Sequence, residues 1–193
     1  LISPTEPWYL CRGFLLSSQV GNVLINYLLQ VMSQTWLGID PGLATIGWAF
    51  LAEGNYGNAN LLDYGIIETN KQLTTAERLL EIERDMVELL REFQPYNVAI
   101  EMPFFNRTIK AAGGVLQAFG VINLVCYRET GVIPVYLHQS SWKCHLGYGK
   151  ADKNEVADMV QVLFDLETMP IDDSVDAIGI GYAGLCGLRN NIS

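Results

Sequence analysis

A chain of 193 residues, 50% of them apolar, can close one sizeable core, which excludes a disordered chain. A net charge of −9 excludes nucleic-acid binding through overall basicity, so any contact with phosphate must rest on a local basic patch or on metal ions. The four cysteines (Cys11, Cys126, Cys144 and Cys186) make no CxxC pair, and with only two histidines, His138 and His145, they fit no zinc pattern. They read as reduced thiols of a cytoplasmic protein, mostly in or near the core.

Residues 1–31 stand apart. Trp8 to Val31 is rich in apolar residues, but Ser17, Ser18, Gln19, Gly21, Asn22 and Asn26 interrupt it as a membrane span. Glu6 precedes the only basic residue there, Arg12, and no clear cleavage site follows, which argues against a signal peptide. Met32 leads directly into the first strand. Residues 1–31 are therefore expected to be an extension outside the native domain, with a short amphipathic helix as the alternative. The domain is expected over 32–193, with no membrane partner.

From Met32 onward the elements follow in order. Trp36–Asp40 is a short apolar run closed by Pro41-Gly42, which predicts a buried strand and a turn. Thr45–Ala52 and Leu61–Glu68 read as two more strands around a Gly- and Asn-rich loop. Leu79, Leu80, Ile82, Met86, Val87, Leu89, Leu90 and Phe93 recur at helical spacing over Thr74–Phe93, with Thr74 or Thr75 as cap. Asn97–Glu101 predicts a fourth strand and Arg107–Arg128 a second helix, rich in small residues. Val132–Leu137 predicts a fifth strand, Lys150–Leu166 a third helix and Asp173–Leu185 a fourth, largely buried one. The order βββαβαβαα predicts an α/β domain with a mixed sheet of five strands flanked by helices.

Four carboxylates interrupt this pattern. Asp40 and Glu101 each end an apolar strand, Asp176 sits within an apolar helix, and Asp173 lies three residues earlier on the same helical face. Asp40 alone, before Pro-Gly, reads equally well as a turn residue, and Asp173 or Asp172 as a helix N-cap. Unpaired buried charge costs several kcal/mol, about 3–5 when one partner of a pair is missing. As a group the four call for a common compensating charge, and hard divalent cations such as Mg²⁺ take oxygen ligands of this kind. Two such ions roughly 4 Å apart activate water for phosphodiester hydrolysis.

The motifs around these residues resemble RuvC-type Holliday junction resolvases. Leu37-Gly38-Ile39-Asp40-Pro41-Gly42 with Thr45-Ile46-Gly47-Trp48 resembles the family's opening hairpin, and Val98-Ala99-Ile100-Glu101 its second acidic strand. Asp173-Ser174-Val175-Asp176-Ala177 resembles its C-terminal DxxDA helix, and the segment from Gly147 to Val156 its GxGxAxKxxV stretch. Gln117 and Gly120-Val121 fit the second helix. The likeness runs from Leu37 to Ala183, with four motifs in order.

The resemblance implies an RNase H-like fold and a homodimer that cuts four-way DNA junctions (Holliday junctions) by paired nicks, in recombination and repair, beside a branch-migration helicase. It implies Asp40, Glu101, Asp173 and Asp176 as ligands for two Mg²⁺ ions, with Mn²⁺ as a substitute, and Lys153 as a catalytic cation. Phe104 matches an aromatic that stacks on a junction base, with Phe105 as competitor and a core or interface role as the alternative. Arg107, Lys110, Lys143, Lys150 and Lys153 can form a basic face toward DNA. Pro103 and Lys150 depart from the family's pattern. Six of the 21 acidic residues fall in Glu77–Glu92, a helix that can face away from DNA. Three other readings are kept: a less selective branched-DNA nuclease, a non-catalytic junction-binding protein, and a phosphotransferase with a similar Gly-Ile-Asp-x-Gly hairpin.

Overall fold

The computed structural model describes residues 35–54, 58–103, 109–168 and 170–190, with side chains for all of these except 109–112 and 188–190. Expectations for residues 1–31, Phe104, Phe105 and Arg107 lie outside the described residues.

Five strands form one mixed sheet in the order β3-β2-β1-β4-β5. They are β1 (Thr35–Asp40), β2 (Thr45–Glu53), β3 (Ala59–Glu68), β4 (Asn97–Glu101) and β5 (Val135–Leu137). The first three form an antiparallel meander, and β4 and β5 add in parallel beside β1. The described helices are α1 (Thr75–Phe93), α2 (Ile109–Thr130), α3 (Gln139–Leu146), α4 (Lys153–Phe164) and α5 (Asp172–Asn190).

Side chains alternate across a strand, so each strand serves two layers. Leu37, Ile39, Ile46, Phe50, Val98 and Ile100 enter one core with Ile82, Met86 and Leu90 of α1 and Ala118, Ile122 and Val125 of α2. Trp36, Ala49, Leu51 and Ala99 enter a second core with α3, α4 and α5. The acidic helix α1 therefore lies on the sheet face opposite α5.

The first helix follows its sequence signals. The Thr74 hydroxyl accepts the Glu77 N–H while the Glu77 carboxylate accepts the Thr74 N–H, and Gln94 turns into the left-handed region just before Pro95. Leu80, read as part of the apolar face, is exposed.

Among the departures from the sequence reading are two element starts and one helix. The strand expected over Val132–Leu137 is paired only from Val135, because Pro134 lacks a ladder donor. The helix expected from Lys150 starts at Lys153, because Asp152 caps it: the Asp152 carboxylate accepts the N–H groups of Asn154 and Glu155. The helix α3, over Gln139–Leu146, was not expected at all.

Candidate active site

Strand parity sets the site. Asp40 follows Trp36 and Gly38 at two-residue spacing, and Glu101 follows Ala99, so both carboxylates belong to the α5 face. Ile39 pairs with Ile100 in the parallel β1–β4 ladder, and Asp40 and Glu101 are the next residue on each strand. Two carboxylates thus leave adjacent strands at their carboxyl ends, where open α/β sheets place ligands.

The opposing pair comes from α5, which packs directly on the sheet. A Cβ on Gly38 would collide with the Ala177 carbonyl, and one on Gly47 with the Asp173 carbonyl. Glycine at these two positions lets the helix backbone touch the strands and brings the first turn of α5 beside Asp40. Asp172 and Asp173 both lie within that first turn, and the Ile171 carbonyl receives the Val175 N–H, so neither aspartate occupies the N-cap. Negative charge is favoured there by the helix dipole.

The Pro41-Gly42 turn is braced from the other face. Arg78 of α1 donates to the Leu43 carbonyl at 3.1 Å and to the Thr69 hydroxyl at 2.7 Å, and that hydroxyl donates to the Leu43 carbonyl at 2.7 Å.

The carboxylates feel one another. Burial, then Glu101, Asp176 and Asp173, hold the Asp40 carboxyl well above the ordinary aspartate range, with Lys153 pulling it down. Burial also raises Asp176; Lys143 and Lys153 oppose the shift, while Asp173 and Asp172 add to it. Each of Asp40, Glu101, Asp173 and Asp176 keeps a part-exposed surface. Among the described residues, no three carboxylate, thiol or imidazole groups already form a closed ligand cluster. The donor chemistry nonetheless suits a hard divalent cation: the acceptors are carboxylate oxygens whose mutual repulsion such a charge relieves.

The cations divide. Lys153 is exposed, 3.6 Å from Asp172, and lines a small pocket with Ala157, Asp172, Val175 and Asp176. Lys150 is also exposed. Lys143 is buried, and its Nζ donates to the Ala151 carbonyl at 2.7 Å. Lys110 falls in the first turn of α2. One polar neighbour of the site escaped the sequence reading. Trp142 of α3 donates from Nε1 to Glu101 Oε2 at 2.6 Å across 41 residues of chain. No local pattern marks that pairing.

A mixed five-stranded sheet with carboxylates at adjacent strand ends, faced by an acidic helix, defines an RNase H-like α/β protein with a nuclease-type site. Residues 36–183 match the family described as crossover junction endodeoxyribonuclease RuvC. The chain is 67% identical over 160 residues to the Synechocystis sp. protein of that description, covering 83% of this chain and 96% of the relative. Among solved structures, Thermus thermophilus RuvC matches with a TM-score of 0.72 at 30% identity, over 81% of this chain and 96% of that one. T. thermophilus RuvC in complex with Holliday junction substrate matches at 0.71 and 28%, over 80% and 96%.

The chain belongs to the RuvC family of crossover junction endodeoxyribonucleases, which are metal-dependent nucleases. That membership replaces the phosphotransferase reading. No helix among the described residues is long and apolar enough to cross a membrane.

Proposed function

We propose that this chain resolves four-way DNA junctions by paired phosphodiester hydrolysis beside the carboxyl ends of β1 and β4, in recombination and repair. The observation that carries this reading is the convergence of Asp40, Glu101, Asp173 and Asp176 on one sheet face, with Asp40 destabilised as an anion by its neighbours. Those four residues would hold the metal, two Mg²⁺ ions per site, with Mn²⁺ able to substitute. When bound, such ions lower the pKa of water and stabilise the leaving oxygen.

The other residues bind and orient DNA. The Lys153–Asp172 pair is largely exposed to solvent and holds Lys153 weakly, which leaves its ammonium available to the attacked phosphate. Lys150 lies three residues earlier, exposed on the loop before α4. Phe104, Arg107 and Lys110 follow Glu101 in the chain and would meet the junction next to the cut strand. Lys143 acts from inside, by bonding the loop that precedes Lys153. The acidic residues of α1 lie on the far face of the sheet, away from this surface.

Leu116, Leu124 and Tyr127 of α2 and Val135 and Tyr136 of β5 are exposed apolar groups that a second copy can cover, which supports a homodimer. A branch-migration helicase as partner and a cytoplasmic location complete the reading. The test is cleavage of a synthetic four-way junction against three-way and linear DNA, with and without Mg²⁺. Symmetric paired nicks confined to the four-way junction are expected. Equal cutting of all three substrates would instead favour the less selective nuclease.

A further inference from the structure

The polar contact at Glu101 extends the site beyond its carboxylates. Trp142 is fully buried, and a buried indole N–H requires an acceptor. A backbone carbonyl would satisfy it, yet its partner is Glu101 Oε2, at 2.6 Å, a short distance of the charge-assisted kind. The indole ring is also seated on α5. A Cβ on Gly179, three residues after Asp176, would stand 2.8 Å from Trp142 Cζ3 and 3.0 Å from Cε3. One rigid side chain therefore spans the end of β4 and the helix that carries Asp173 and Asp176. Its neighbour Lys143 ties the same helix α3 to the Ala151 carbonyl, two residues before Lys153.

We propose that Trp142 is a positioning residue: its indole N–H occupies one oxygen of Glu101 and orients that carboxylate toward the α5 aspartates for cation binding. This rests on Glu101 being a metal ligand. The indole nitrogen is a donor only, so it cannot itself compete for the cation. Carboxylates that ligate metals are in turn hydrogen-bonded, and loss of such an outer partner costs roughly 10–100-fold in metal affinity or activity.

The test is calorimetric titration of the DNA-free protein with Mn²⁺, comparing wild type, Trp142→Phe and Glu101→Gln. Trp142→Phe retains an aromatic ring and removes the N–H. Its Mn²⁺ affinity is expected to fall by roughly 10–100-fold. Its junction cleavage is expected to need correspondingly more Mg²⁺ and to recover toward the wild-type rate at saturation, which a merely structural defect would not do. Wild-type affinity in folded Trp142→Phe, with Glu101→Gln impaired, would overturn the positioning role alone. Unchanged affinity in Glu101→Gln would remove Glu101 from the ligand set and the proposal with it. Should Trp142→Phe not fold, the wild-type chain decides. The indole ¹H–¹⁵N resonance of Trp142 is expected to shift on Mg²⁺ saturation, and a resonance that stays in place would overturn the proposal.

Discussion

On the α1–α2 side the sheet presents Leu37, Ile39, Ile46, Val98 and Ile100, and the helices meet it with Ile82, Met86 and Leu90. On the α5 side it presents Gly38, Gly47, Ala49 and Ala99, and the helix comes in on its backbone. The first face stabilises by burying large aliphatic groups, about 1.5–3 kcal/mol for each full side chain. The second gives up part of that area, and the close approach sets two acidic residues of α5 beside two acidic strand ends. Strands shared by both faces let the chain carry a repulsive cluster on one side while the other supplies stability.

Substitutions should separate the two faces. The largest effect is expected from Asp40→Asn. Junction cleavage should fall by more than about a hundredfold, since even outer partners of metal ligands reach that loss. The fold should persist, because the substitution removes a buried charge that its neighbours disfavour. Full Mg²⁺-dependent activity in Asp40→Asn would remove the chemistry from this face.

The same residue shapes the pH dependence of the metal-free protein. The folded-state pKa of Asp40 is raised, so the folded chain keeps a proton that the unfolded chain releases at lower pH. Between the ordinary aspartate range and the raised value, stability in EDTA should therefore fall as pH rises. Asp176, also raised, contributes in the same direction. Thermal melts across pH should show this slope, reduced in Asp40→Asn and by added Mg²⁺.

The α1–α2 face should respond oppositely. Ile82→Ala, at a fully buried position, is expected to cost about 2–5 kcal/mol in denaturant unfolding. Turnover of the fraction that remains folded should be little changed. Gly47→Ala tests the contact between faces. Its added Cβ meets the Asp173 backbone, so a loss of about 1–3 kcal/mol should accompany reduced activity. The smallest effect is expected at the α1–α2 surface. Glu129→Gln, which breaks its pairs with Arg91 and Arg128, should change stability by less than about 1 kcal/mol, and less still at high salt.

Much of this was legible in the residues. Apolar alternation placed the strands, and a polar residue ending an apolar run marked Asp40 and Glu101. Thr74 was one of two candidate caps for α1, and the structure pairs it with Glu77 in a capping box; Asp152 and Glu155 form the same box for α4, three residues later than the glycine-lysine segment suggested. The helix α3 was missed because His138 makes no side-chain cap bond and its residues follow no strong apolar period. Lys143 read as part of a basic face toward DNA, because it matches a basic position of the family's motif, yet it is buried. The packing of α3 against α5 and the bond to the Ala151 carbonyl bury it.

The sequence by itself determined the sheet, the acidic strand ends and the same-face pair Asp173 and Asp176, because strand parity and helical spacing are local properties. Tertiary structure decided which cations stay exposed, how closely α5 approaches Gly38 and Gly47, and that an indole 41 residues away bonds Glu101. Those depend on contacts between segments distant in the chain, and a hydrogen-bond partner across the fold leaves no periodic trace in the residues that make it.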